Sequence, residues 1–313
     1  MRTVALPDVG PVQLFVRAGD AVAHLDFAAG TVTTTTIPAL RSTGPVTFGV
    51  TETGAFVRPM DAVPGYFVPD GGPPRELTGV LANTAVLPGP DSESVWIEEF
   101  RDNTLQGMRE VYVPTSAVTS RSLPLPAGVG RVWGPPQADG SGYVLVYGQH
   151  GTFDLRPDGA HRLPSVLLHA TVLASGDDRL LMATCSSPRL QRCPVWLVHL
   201  PDGRRSRVGS ALAVSGQLAG VIAPDARTAL VYQPGTPGQL AARVLDLGTG
   251  RMLGAPVPID SDVQPGSAVY TADGRWVFLV SAKDSLAAMD ARTGAVQRID
   301  AGLSVVYQLA VRS

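Results

Sequence analysis

Arg243-Val244-Leu245-Asp246-Leu247-Gly248-Thr249-Gly250 is an apolar run that stops on an aspartate and breaks into a Thr-Gly turn. That order predicts a short strand entering a tight reversal. Val and Leu suit a pleated, buried surface, Asp bonds the backbone just ahead of it, and Gly supplies the left-handed conformation. The pattern returns 44 residues later in Ala288-Met289-Asp290-Ala291-Arg292-Thr293-Gly294. Looser copies lie upstream. They are Ala23-His24-Leu25-Asp26 before Ala29-Gly30, Tyr66-Phe67-Val68 before Gly71-Gly72, and Val111-Tyr112-Val113 before Thr115-Ser116. Phe153-Asp154-Leu155 before Asp158-Gly159 and Trp196-Leu197-Val198-His199 before Asp202-Gly203 complete the set. The seven turns end at residues 30, 72, 116, 159, 203, 250 and 294, at intervals of 42 to 47.

A second turn keeps phase with the first. Ala272-Asp273-Gly274-Arg275 leads into Trp276-Val277-Phe278, and Asp225 precedes Ala229-Leu230-Val231. Asp91, Asp139 and Asp177 occupy the same place in their periods, a recurrence that turn chemistry explains. One period therefore holds four short strands, which is the spacing of propeller blades. The expected fold is all-β: a seven-bladed β-propeller of four-stranded antiparallel blades in a single domain, 1–313. The blades are expected at 45–80, 84–124, 130–164, 169–208, 217–257 and 266–299, with one more built from 12–40 plus 303–311. That last blade joins N- and C-terminal strands and closes the ring, leaving no unpaired edge. Residues 3–6 are the competing source of its innermost strand. The Ala- and Leu-rich segments 210–220 and 285–291 fall at strand positions of the repeat and are read as strand.

Asp246 to Gly250 and Asp290 to Gly294 resemble the Asp-x-x-Thr-Gly turn of YVTN-type and quinoprotein-like propeller repeats. Ala272-Asp273-Gly274-Arg275-Trp276-Val277-Phe278 is similar to the repeat of TolB-like propellers. The resemblance implies a fold rather than an activity, because families of unrelated function share these motifs. The tryptophan that follows the turn in quinoprotein-like repeats is missing after Gly250 and Gly294, so no quinone cofactor is expected, nor any other.

Composition narrows the function classes. A net charge of −2 with no block of like charges argues against a nucleic-acid or anionic-membrane footprint. With 34 Gly and 27 Pro in 313 residues the chain is heavily punctuated, which disfavours a helical protein. No run of 18 apolar residues exists to form a transmembrane helix. Cys185 and Cys193 bracket a short segment between two strand candidates, and a disulfide is expected there, closing a loop for about 2–3 kcal/mol. Such bonds persist in oxidising compartments, so the chain is expected outside the cytoplasm, secreted or anchored through sequence beyond this chain. A cytoplasmic location is the alternative and requires free thiols.

No Gly-x-Ser-x-Gly nucleophile elbow and no phosphate-binding loop occur. The histidines, His24, His150, His161, His169 and His199, lack ligand spacing. Glu98, Glu99 and Asp102, and the pair Asp260 and Asp262, are acidic clusters better explained as solvated strand ends than as calcium ligands.

The links between second and third strands differ in length. They are short at 18–20, 148–151 and 282–284, and expected to be extended at 58–65, 101–109, 185–194 and 233–240. The extended links carry Met60, Leu105, Met108 and Leu190 beside Arg58, Arg101, Arg109, Arg189 and Arg192. Apolar anchors rimmed by arginine suit a protein or peptide partner. The reading from sequence is thus a monomeric, non-enzymatic binding or scaffold propeller. Its alternative is a propeller lyase, lactonase or glycoside hydrolase with its site at the axial channel.

Overall fold

The computed structural model describes residues 1–37, 46–59, 64–82, 86–101, 104–132, 136–138, 142–163, 171–184, 192–200, 202–209, 212–213, 220–235, 239–259, 266–281 and 285–312. Strands dominate; the helical turns among the described residues are two 3-10 segments, Gly79–Ala82 and Ala127–Val129. The chain divides into two compact units. The first comprises Met1–Pro38, His169–Val198 and Arg205–Ser313, the second Ala39–Leu168 and His199–Arg204.

The first unit opens with β1 (Arg2–Thr3), β2 (Gln13–Ala18), β3 (Ala21–Asp26) and β4 (Thr31–Thr36). In the second unit β5 (Val46–Val50), β6 (Gly54–Pro59), β7 (Tyr66–Pro69) and β8 (Arg75–Glu76) form one antiparallel four-stranded sheet. The next consists of β9 (Val86–Pro88), β10 (Ser94–Arg101), β11 (Thr104–Tyr112) and β12 (Ala117–Pro124). The third holds β13 (Gln137–Ala138), β14 (Val144–Gly148), β15 (Gly151–Arg156) and β16 (Gly159–Arg162). Each follows a simple meander in which sequential strands are neighbours.

The first unit resumes with β17 (Thr171–Gly176), β18 (Arg179–Ala183), β19 (Arg192–Cys193), β20 (Val195–His199, all but its last residue), β21 (Arg205–Arg207) and β22 (Leu212–Ala213). Then come β23 (Gly220–Ile222), β24 (Thr228–Pro234), β25 (Leu240–Asp246) and β26 (Met252–Ile259). The last are β27 (Ala268–Tyr270), β28 (Trp276–Ser281), β29 (Ser285–Asp290), β30 (Val296–Ile299) and β31 (Val306–Arg312). An eight-stranded sheet joins two antiparallel groups, β21-β20-β18-β17 and β23-β24-β25-β26, through the parallel pair β17 and β23. β27 to β30 form another four-stranded sheet, and β19 pairs with β22. The N-terminal strands order as β1-β4-β3-β2-β31, so the C-terminal strand lies on β2 from Gln13↔Arg312 to Ala18↔Val306. Thr3, the rival candidate, sits instead on the far edge against β4.

The repeat motifs become hydrogen bonds. Asp290 Oδ1 accepts from the Thr293 N–H at 2.8 Å and from the Arg292 N–H at 2.9 Å, while Gly294 N–H closes the turn on Asp290 O at 2.8 Å. Asp246 holds Thr249 N–H at 2.7 Å in the same way, and Asp26 holds Ala29 N–H at 2.9 Å. Gly250 and Gly294 have φ of 68° and 71°, a conformation that costs an L-residue about 1–2 kcal/mol. At the other turn Asp273 Oδ1 takes Arg275 N–H, and Asp225 Oδ1 takes Arg227 N–H, both at 3.0 Å.

Burial tracks strand position. The second strands β2, β6, β24 and β28 are buried over nearly their whole length, as continuous apolar runs must be when both faces are covered. The fourth strands β4, β12 and β26 bury only one or two residues each. In the first unit Leu14, Leu25, Phe278 and Ala288 share one cluster, and Leu230, Val244, Val277 and Met289 another. In the second unit Trp96, Met108, Leu123 and Val146 pack together. Each of the Leu, Val, Phe and Met side chains contributes about 1.5–3 kcal/mol by leaving water.

Candidate functional site

The hairpin of β10 and β11 is the longest in the second unit, with strands of eight and nine residues. Its register runs regularly from Ser94↔Tyr112 to Glu99↔Gly107, slips at a bulge between Glu99 and Phe100, and resumes as Phe100↔Leu105 and Arg101↔Thr104. Past the bulge the Phe100 ring is left 57% exposed. Glu99 and Arg109 form an ion pair on the hairpin, and both side chains are about 40% exposed or more. A pair so solvated contributes at most about 1 kcal/mol. Glu98, half-buried, has its carboxyl pushed up by burial.

The expected extended loop over 101–109 is corrected here: β11 already begins at Thr104, and only 102–103 separate the strands. Leu105 and Met108 are not surface anchors. They are 7% and 1% exposed: three positions apart they would alternate to opposite faces, but the extra residue at the bulge, Gln106, lets both turn inward, Met108 into the cluster with Trp96 and Leu123. Arg58 is corrected as well: at the end of β6 it is 2% exposed, and a guanidinium N–H is donated to Pro59 O. Arg101 and Arg109 are exposed on one hairpin. Met60, Arg189, Leu190 and Cys185 lie outside the described residues. Arg192 is described only as backbone, opposite Ala213, and Cys193 is buried opposite Leu212. The group therefore does not assemble as expected; Phe100, which replaces its apolar anchors, was legible as an aromatic following the polar pair Glu98-Glu99.

A second polar feature was not read from sequence. Five second strands carry three buried apolar residues followed by a polar one. Leu14-Phe15-Val16 precedes Arg17 and Ala229-Leu230-Val231 precedes Tyr232 in the first unit. Ala55-Phe56-Val57 precedes Arg58, Val95-Trp96-Ile97 precedes Glu98, and Val144-Leu145-Val146 precedes Tyr147 in the second. Burial drives all the resolved shifts at this position: Tyr147 and Tyr232 are raised and Arg17 is lowered. Arg17 is 2% exposed; its Nη1 donates to Gln308 Oε1 at 3.3 Å, and the guanidinium lies 4.6 Å from the Tyr307 ring centroid. Its Nε is buried with no partner among the described residues. Burying a charge without a counter-ion costs on the order of several kcal/mol.

Among the described residues no three His, Cys, Asp or Glu side chains converge on a metal position. His24 stacks on Phe15 at 4.4 Å, and His199 Nδ1 meets Asp202 Oδ1 at 2.8 Å, contacts that account for both structurally. A cavity of about 400 Å³ in the first unit is lined by Ser285, Leu286 and residues 299–306. Another of about 440 Å³ in the second unit lies between Asp91, Trp96, Arg121 and Tyr143.

No family model and no curated protein matches the sequence. Solved structures do match in shape. AztD of Citrobacter koseri aligns over 96% of this chain and 98% of its own, with a TM-score of 0.51 at 13% identity. The fold is a β-propeller. The propeller is similar to a periplasmic gluconolactonase, PpgL of Pseudomonas aeruginosa, over 96% of this chain and 99% of that one, at a TM-score of 0.51 and 14% identity. It is also similar to TolB of Acinetobacter baumannii, at a TM-score of 0.50 and 12% identity, covering 96% of this chain and 66% of that one. At these identities the likeness is one of fold, in keeping with the TolB- and YVTN-like repeats.

Proposed function

We propose that the four-stranded groups are seven blades of one ring spanning 1–313, closed where β31 lies on β2. We propose further that the protein is a monomeric, non-enzymatic binding module that takes a protein or peptide partner on its β10–β11 hairpin. The observation that carries this reading is Phe100, an aromatic side chain 57% exposed past a bulge, flanked by the exposed Arg101 and Arg109. Aromatic and arginine side chains dominate the energetics of protein interfaces, and an aromatic on a regular hairpin loses little entropy when it docks. The bulge turns the tip out of the sheet's regular register, a common use of bulges near functional sites.

An extracytoplasmic location is part of the proposal. It goes with the disulfide we propose between Cys185 and Cys193, for which the support is that no described cysteine is a free thiol and the chain has two cysteines in all. The competing reading, a propeller lactonase, lyase or glycoside hydrolase, is supported by the likeness to a gluconolactonase, which is one of fold. Affinity capture from a cell-envelope extract tests the binding reading, with the wild type and the double variant Phe100→Ser, Arg101→Glu compared at equal folding. A polypeptide retained by the wild type and lost by the variant is the expected result. Identical capture by both removes the hairpin as the binding element.

A further inference from the structure

Arg17 sits in the middle of three paired strands, opposite Val22 on β3 and opposite Gln308 on β31. At 2% exposure it is among the most buried charged side chains of the first unit. Arginine keeps its proton at any physiological pH, so burial cannot be relieved by neutralisation. A buried arginine is ordinarily matched by a carboxylate. Among the described residues none pairs with Arg17, and Tyr307 is the one neighbour whose charge bears on it. Its interactions are the amide oxygen of Gln308 at Nη1 and the Tyr307 ring on its face. Among the described residues Nε, which is buried, has no acceptor. Tyr307 is 38% exposed, so the ring that covers the guanidinium face also borders solvent.

We propose that the Nε edge of Arg17, roofed by Tyr307 and steadied by Gln308, is an anion site for a carboxylate. The chemistry follows from the donor set. A guanidinium edge offers parallel N–H groups in a fixed plane, the geometry that two carboxylate oxygens accept together. One fixed positive charge balances one carboxylate, and a second carboxylate on the same molecule, as in succinate, can stay in water on its own carbon, whereas both charges of a phosphate dianion sit on one group and leave a net negative charge in a buried place. The site would take the carboxylate of a small organic acid or the C-terminal carboxylate of a polypeptide.

The full chain is titrated by calorimetry with sodium succinate, with sodium phosphate at matched ionic strength, and with tri-alanine carrying a free or an amidated C-terminus. Binding of succinate, or of free tri-alanine but not its amide, supports the site and identifies the source. Arg17→Met removes the charge and keeps most of the apolar stem. It should abolish that binding and leave the unliganded protein melting at or above the wild-type temperature, since an unpaired buried charge has been removed. Arg17→Lys keeps the charge without the planar fork and should bind the same probe about tenfold more weakly or worse. The proposal is overturned if no carboxylate probe binds, if phosphate binds as well as succinate does, or if Arg17→Lys binds at wild-type strength. An Arg17→Met protein that melts lower or fails to fold also overturns it, by showing that the arginine is a structural contact.

Discussion

Phe100 and Leu105 face each other across the β10–β11 hairpin, yet Phe100 is 57% exposed and Leu105 is 7% exposed. Direct cross-strand partners share a face of a sheet. On that shared face the β11 residue is covered while the ring on β10 meets water. Truncation should separate the two. Leu105→Ala is expected to lower unfolding free energy by about 2–4 kcal/mol, and Phe100→Ala to change it by less than about 0.5 kcal/mol. Urea unfolding with constant m-value is the check, and equal costs would show that the ring of Phe100 is packed.

The turn aspartates set an acid limit on stability. For Asp290, burial pushes the carboxyl up, but donors from Thr293 and Arg292 outweigh it and hold it below its ordinary value. Asp273 is held low by the Thr271 hydroxyl and the Arg275 N–H. Their contribution is complete above the unfolded value of about 3.9 and is lost as pH falls through the lower folded values. Asp273→Asn and Asp290→Asn should each flatten the loss of stability below about pH 4, measured by thermal melts across pH. The exposed Asp202, lowered to about 2 by the Arg204 backbone N–H and by His199, gives a direct reading by carboxyl NMR titration.

Glu98 runs with the opposite sign. Burial raises its carboxyl, so the folded state is penalised while Glu98 is ionised and relieved as pH falls through that raised value. Glu98→Gln should stabilise the protein at neutral pH and gain nothing at pH 4. A variant less stable at both pH values would mean that the ionised carboxylate has a structural partner.

Thiol chemistry decides the compartment argument. Protein unfolded without reductant should show no titratable thiol, and reduction should cost about 2–3 kcal/mol of stability by reopening a short loop. Two thiols per chain would favour a cytoplasmic platform.

The repeat was legible because its chemistry is local. Asp246 bonds Thr249 N–H three residues ahead and Gly250 turns left-handed, so the motif carries its own geometry in five residues. The tip of the β10–β11 hairpin misled for a local reason too. Asp102-Asn103 and Gly107 read as loop, although the pattern Thr104-Leu105-Gln106 alternates as a strand should. Arg17 and Arg58 were opaque: burial of an arginine depends on strands far away in sequence, as the pairing of Arg17 with Gln308 illustrates. In hindsight the apolar triplet followed by a polar residue in five second strands was the visible trace.

Partner binding through the hairpin is tested most directly by a photo-cross-linking amino acid placed at position 100 of the full chain and irradiated in intact cells. The same probe at Val296, 40% exposed on β30, serves as control. A discrete cross-linked polypeptide at position 100 and none at position 296 is the predicted outcome. No adduct at position 100, or the same adducts at both positions, would contradict the account.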